Sequence, residues 1–67
     1  MKIKFFHSEN KNEIYGSEHF EFEKEMSIVP PVGSLIWTGN AEAFRVVDIC
    51  FCEDSDIIDV MMVLKED

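Results

Sequence analysis

The stretch Phe44–Leu64 constrains the fold more than any other part of this chain. It reads FRVVDICF, then CEDSD, then IIDVMMVL, two apolar runs around an acidic turn, which is the pattern of a β-hairpin. Residues 44–52 and 57–64 are rich in Val, Ile and Phe, which suit a pleated, half-buried surface. Asp and Ser between them bond nearby backbone groups and favour a tight turn. In the second arm Ile58, Val60, Met62 and Leu64 share one face, assigned to the core. Ile57, Asp59, Met61, Val63 and Lys65 share the other. The first arm changes phase: Phe44 and Val46 alternate together, but Val47, Ile49 and Phe51 take the opposite face. A bulge near Val47–Asp48 turns Phe44, Val46, Ile49 and Phe51 inward together. A helix over 56–65 is the alternative, mildly disfavoured by four β-branched residues (Ile57, Ile58, Val60, Val63).

The remaining chain supplies three more strands. Met1–His7 alternates, with Ile3 and Phe5 on one face and Lys2 and Lys4 on the other, as on a guarded edge strand. Ser8–Ser17 is a polar loop, interrupted by Ile14 and Tyr15, which pin it to the core edge. Glu18–Met26 alternates, with Phe20 and Phe22 inward and Glu21, Glu23 and Glu25 outward, roughly 6.7 Å apart. Pro30 and Pro31 exclude regular structure, and Val32–Gly33–Ser34 turns the chain into a third strand, Leu35–Thr38, with Trp37 in the core. Gly39–Asn40 marks a further turn. The fold class expected is all-β, a single small domain over 1–67. It is a five-stranded antiparallel meander closing into a small SH3-like barrel or rolled sheet. An α+β arrangement with one short helix, from 8–17 or 56–66, is the alternative.

At Pro31-Val32-Gly33-Ser34-Leu35-Ile36, followed by Phe44-Arg45-Val46-Val47-Asp48-Ile49, the chain resembles uncharacterised short barrel-like proteins of phages and bacteria. These carry P-x-V-G-[DS]-x-[IL] and then an aromatic-x-Val strand. Ser34 stands where Asp is more usual. The resemblance covers about 20 residues and implies a fold and a mobile-element origin, with no activity attached.

Charge narrows the function classes. The 67 residues carry 14 Asp and Glu against six Lys and Arg, a net charge of −8. Direct nucleic-acid binding depends on cationic groups that displace counterions, and anionic membrane surfaces likewise select basic proteins. Neither fits this chain. No run reaches the ~20 apolar residues of a membrane span, and MKIKFF leads into His7, Ser8 and Glu9 without the apolar segment of a signal peptide. A cytoplasmic location is the expectation.

Candidate chemistry is sparse. Cys50 and Cys52 fall on one side of a strand, and with His7 and His19 they make up a zinc-like set. Structural zinc sites, however, space paired Cys by two to four residues, and free Cys more often packs as a small hydrophobe. Glu53-Asp54-Ser55-Asp56, with Asp48 and Asp59, lacks the Gly-containing calcium loop. No serine lies in a nucleophile elbow, and no Gly-rich phosphate loop is present. A non-enzymatic protein without a cofactor is therefore expected. Trp37 with Phe51 or Tyr15 offers an aromatic peptide platform as an alternative to core packing.

These features favour a protein-interaction module or subunit. Its sharpest form is an acidic inhibitor, of the kind phages encode, that occupies a nucleic-acid-binding surface of a basic partner. The residues expected to meet partners are Glu21, Glu23, Glu25, Asp54, Asp56 and Asp59 by charge. Ile57, Met61 and Val63 form an exposed apolar stripe, through which a homodimer is expected. The alternative is a small metal-binding regulator using Cys50, Cys52 and the histidines.

Overall fold

A computed structural model describes residues 1–9, 12–38 and 42–65. It contains five strands: β1 Lys2–Ser8, β2 Glu18–Glu25, β3 Leu35–Trp37, β4 Ala43–Phe51 and β5 Ile57–Leu64. Among the described residues there is no helix, including in the described parts of 8–17 and 56–66, and so none long and apolar enough to cross a membrane. The Gly39–Asn40 turn lies outside the described residues.

The strands form one curled half-barrel sheet in the order β2-β1-β5-β4-β3. All-β, barrel-like architecture is thus as expected, but the sheet is mixed. β1 pairs antiparallel with β2 and parallel with β5; β4 pairs antiparallel with both β5 and β3. The parallel pair follows from strand number. When five strands alternate up and down, the first and last run the same way, so joining them gives a parallel ladder. The sheet is open between β2 and β3, the one consecutive pair that is not joined. β1 is consequently interior, and its lysines do not guard an edge as the alternation implied.

The inward face is a core of Ile3, Phe5, Phe44, Val46, Ile58, Val60 and Met62, with Phe22, Met26, Val29, Ile36 and Ile49 packed against it. The segment 26–34 runs from the β2 edge to the β3 edge, and its Met26 and Val29 close over this concave face. Pro31, Val32, Gly33 and Ser34 then form a turn closed by Ser34 N–H donating to Pro31 O (3.1 Å). Gly33 has φ +96°, the left-handed value that the third residue of a type II turn requires.

Two bulges set which side chains point inward. The β4–β5 register slips between Val46 and Asp48, where the sequence called for a bulge, so Phe44, Val46 and Ile49 all reach the core. Phe51 has the right phase but lies where the strand runs out, and it is 74% exposed. The second bulge is at Glu21: Phe5 pairs with Phe22 but Phe6 pairs with Phe20. Phe22 therefore stacks on Phe5 inside (centroids 4.4 Å), whereas Phe20 meets Phe6 edge-on outside (5.7 Å). The expectation that Phe20 and Phe22 share a face is corrected by this one extra residue. Trp37 is corrected too. Ile36 pairs with the buried Phe44 and points inward, so its neighbour Trp37 points out and is 67% exposed.

Truncation experiments check this assignment. Phe5→Ala is expected to cost about 3–5 kcal/mol by emptying a core site. Phe51→Ala should stay within about 0.5 kcal/mol, as exposed positions do. Urea midpoints of the two variants read the difference directly.

Candidate functional site

The convex face of the sheet holds most of the residues that the sequence singles out. Ile57, Asp59, Met61 and Val63 do share that face, but they are not an exposed stripe. β5 lies between β1 and β4 with both edges bonded. Met61 sits between Phe6 on β1 and Asp48 on β4 and is 6% exposed, while Ile57 and Val63 are half-buried.

A strap formed by the described residues 12–17 is tied to this face at both ends. At one end Ser8, buried at the end of β1, places its Oγ 2.8 Å from Ser17 Oγ, and Ser17 Oγ–H donates to Glu13 O (2.5 Å). At the other end Tyr15 reaches β4, where its hydroxyl donates to Asp48 Oδ2. With that proton committed, Cys50 Sγ–H is the donor to Tyr15 Oη (3.0 Å). Gly16 supplies the positive φ (+107°) that bends the strap back. Tyr15 thus does pin the loop, but to the outside of the sheet. The hydrogen bond from the phenol holds the Asp48 carboxyl below its usual range, helped by Ile49 N–H. Donation to Asp48, and then the contact with Cys50, push the Tyr15 pKa up.

The acidic residues fall into two groups. Glu21, Glu23 and Glu25 do not stand in register. Glu25 Oε1 is 2.8 Å from the amino terminus, and Glu23 Oε2 is 3.9 Å from Lys2 Nζ, both outside. The bulge sends Glu21 to His7 Nδ1 (3.2 Å), whose ring packs on core Phe44 (4.8 Å). Asp59 lies level with Lys4 in the β1–β5 register. Glu21, Glu23 and Glu25 are therefore matched by His7, Lys2 and the amino terminus of this chain.

At the β4–β5 turn the carboxylates are not so matched. Glu53, Asp54 and Asp56 are exposed, and none takes part in an ion pair among the described residues. Phe51 projects beside them, and an open cleft of about 720 Å³ lies alongside, lined by Met1, Lys2, Glu25, Phe51, Ser55 and Asp56 among others. Sequence reasoning found the acidic turn but placed Phe51 in the core, and so missed its position at the rim. The only signal was its place at the end of the strand.

The zinc-like set is not assembled. His7 is on the concave side against Phe44, Cys50 is on the convex side under Tyr15, and Cys52 lies beyond the strand in the turn. Both cysteines are free, and among the described residues no three His, Cys, Asp or Glu side chains are placed to hold a metal ion. Cys52 is exposed, and its thiol pKa is lowered by the Ser55 hydroxyl and then the Asp54 backbone N–H.

Comparison of the chain with protein-family models, curated proteins and solved structures returns no match.

The strap has a spectroscopic signature, because Tyr15 is the only tyrosine. Its phenol should ionise well above pH 10 in the folded protein and shift back toward the ordinary value in Asp48→Asn, read by absorbance near 295 nm with circular dichroism reporting the fold. The neutral phenol's contribution is complete below pH 10 and is lost as pH rises through its elevated pKa. Asp48's contribution is complete above its ordinary range and is lost as pH falls through the depressed value.

Proposed function

We propose that this protein is a non-enzymatic interaction module whose β4–β5 turn docks on a basic surface of a partner protein. The observation that carries the reading is the exposed Phe51 at the end of β4, followed directly in the turn by exposed Glu53, Asp54 and Asp56, none of which is in an ion pair among the described residues. An aromatic anchor with a polar rim is the usual composition of an interface centre. The adjacent cleft gives a partner side chain somewhere to go, and the net charge of −8 steers a basic partner toward it.

The partner class that fits best is a protein whose own basic surface binds nucleic acid. Carboxylates around Phe51 would then occupy the groups that otherwise meet phosphates. In this reading Asp54 and Asp56 keep the partner-facing role assigned from the sequence, joined by Glu53 and Phe51. Glu21, Glu23 and Glu25 contribute to the general field, since each already faces a cation or His7, and half-buried Asp59 lies level with Lys4. Ile57, Met61 and Val63 lose the role, because Met61 is buried and Ile57 and Val63 are half-buried.

Charge reversal separates the two acidic groups. The immobilised chain is expected to retain basic proteins from host lysate at low salt and to release them at high salt, as screening of exposed charge predicts. The triple variant Glu53→Lys, Asp54→Lys, Asp56→Lys should abolish this retention, and Phe51→Ala should weaken it at least tenfold. Glu23→Lys with Glu25→Lys should weaken it far less. Equal retention by the turn variant and the unmodified chain would overturn the proposal.

A further inference from the structure

The sheet's second free edge differs in character from its first. β2 presents glutamates at its edge, and two copies pairing there would set Glu23 and Glu25 against their equivalents. β3 lies in Met26–Thr38, MSIVPPVGSLIWT, which contains no charged residue in a chain that is 30% charged. The same stretch exposes Ile28, Val32, Leu35 and Trp37, a concentration of uncovered apolar side chains that elsewhere marks a contact surface.

Backbone bonding fixes which groups of β3 are free. Val46 N–H donates to Ser34 O (2.9 Å), Thr38 N–H donates to Glu42 O (3.0 Å), and Ile36 pairs with Phe44 between them. Residues 34, 36 and 38 thus face β4. By the alternation of an antiparallel ladder, the N–H and C=O of Leu35 and Trp37 face away from the sheet. Among the described residues no strand bonds to that edge.

We infer that two copies of this chain associate by antiparallel pairing of β3 with β3 about a two-fold axis at Ile36. Leu35 of each copy then exchanges backbone hydrogen bonds with Trp37 of the other. Leu35 and Trp37 lie on the same face, so each Trp37 indole covers the opposite Leu35. A two-fold contact must be self-complementary, and this edge is: identical uncharged strands meet with donors opposite acceptors. Charge selects a second copy here over a basic partner, because the edge offers no carboxylate to a cation. It also selects this edge over β2, where two chains of net charge −8 would repel most closely. The inference concerns β3 alone and does not depend on the acidic turn.

The chain's only tryptophan reports the event. Across a concentration series in sedimentation equilibrium, the solution mass should double while Trp37 emission shifts to the blue. Added salt should strengthen association by screening the net charge. Leu35→Pro removes only an N–H that faces away from β4, a position where an edge strand tolerates proline, and should leave a folded monomer by circular dichroism. Trp37→Lys, which leaves the backbone donors intact, should weaken association at least tenfold and decides the matter if Leu35→Pro fails to fold. A chain that stays monomeric with water-exposed tryptophan emission at the highest concentration reached would overturn the inference. So would a dimer that persists unchanged in a folded Leu35→Pro variant or, if that variant fails to fold, in Trp37→Lys.

Discussion

The parallel ladder between β1 and β5 is the contact on which the rest of the structure depends. Lys2 through Ser8 run level with Ile57 through Val63, joining the two ends of the chain. Ile3 with Ile58, Phe5 with Val60, and His7 with Met62 lie across it on the concave side. Without it, β1–β2 would be an isolated hairpin, marginal at best in water, and β3-β4-β5 a separate half-sheet with one face bare. With it, β5 becomes the central strand, both hairpins share one core, and the sheet opens at β2 and β3. Every surface assigned above follows from that placement. The edges are those two strands, and the β4–β5 turn projects at one end.

Local signals made the hairpin, the bulge near Val47–Asp48 and the turn at Gly33 legible, because each rests on residues close in sequence. Phase breaks in alternating apolar residues require an extra residue in one strand, and positive φ favours glycine. The bulge at Glu21 left no such trace. Phe20 and Phe22 are both aromatic, and either face would accept them until Phe5 and Phe6 are known to lie opposite. Trp37 was misplaced for a related reason: in a three-residue strand, alternation cannot say which residues point in, and Phe44 across the ladder decides for Ile36. The stripe on β5 was read as exposed because a strap tied by Tyr15 to Asp48 and Cys50, more than thirty residues away, is invisible to periodicity.

Charge is sorted as sharply as hydrophobicity. On the sheet Glu25 meets the amino terminus and Glu23 meets Lys2, so these two acidic side chains spend their field internally. Glu53, Asp54 and Asp56 are in no ion pair among the described residues, and they follow directly on the exposed Phe51. The 26–38 stretch has neither sign of charge. A small chain thus carries an acidic turn at one end of the sheet and an uncharged edge at β3.

Native-state amide exchange, residue by residue at a concentration low enough to keep the chain monomeric, tests this architecture most directly. Interior strands open only with global unfolding, whereas free edges exchange through small fluctuations. The account predicts the slowest exchange at Phe5, Val60 and Met62 in β1 and β5, and fast exchange at Leu35 and Trp37 in β3. Slow exchange at Leu35 and Trp37 together with fast exchange at Phe5 and Val60 would contradict it. That pattern would mean that the sheet closes at β2–β3 and opens where β1 and β5 are placed side by side.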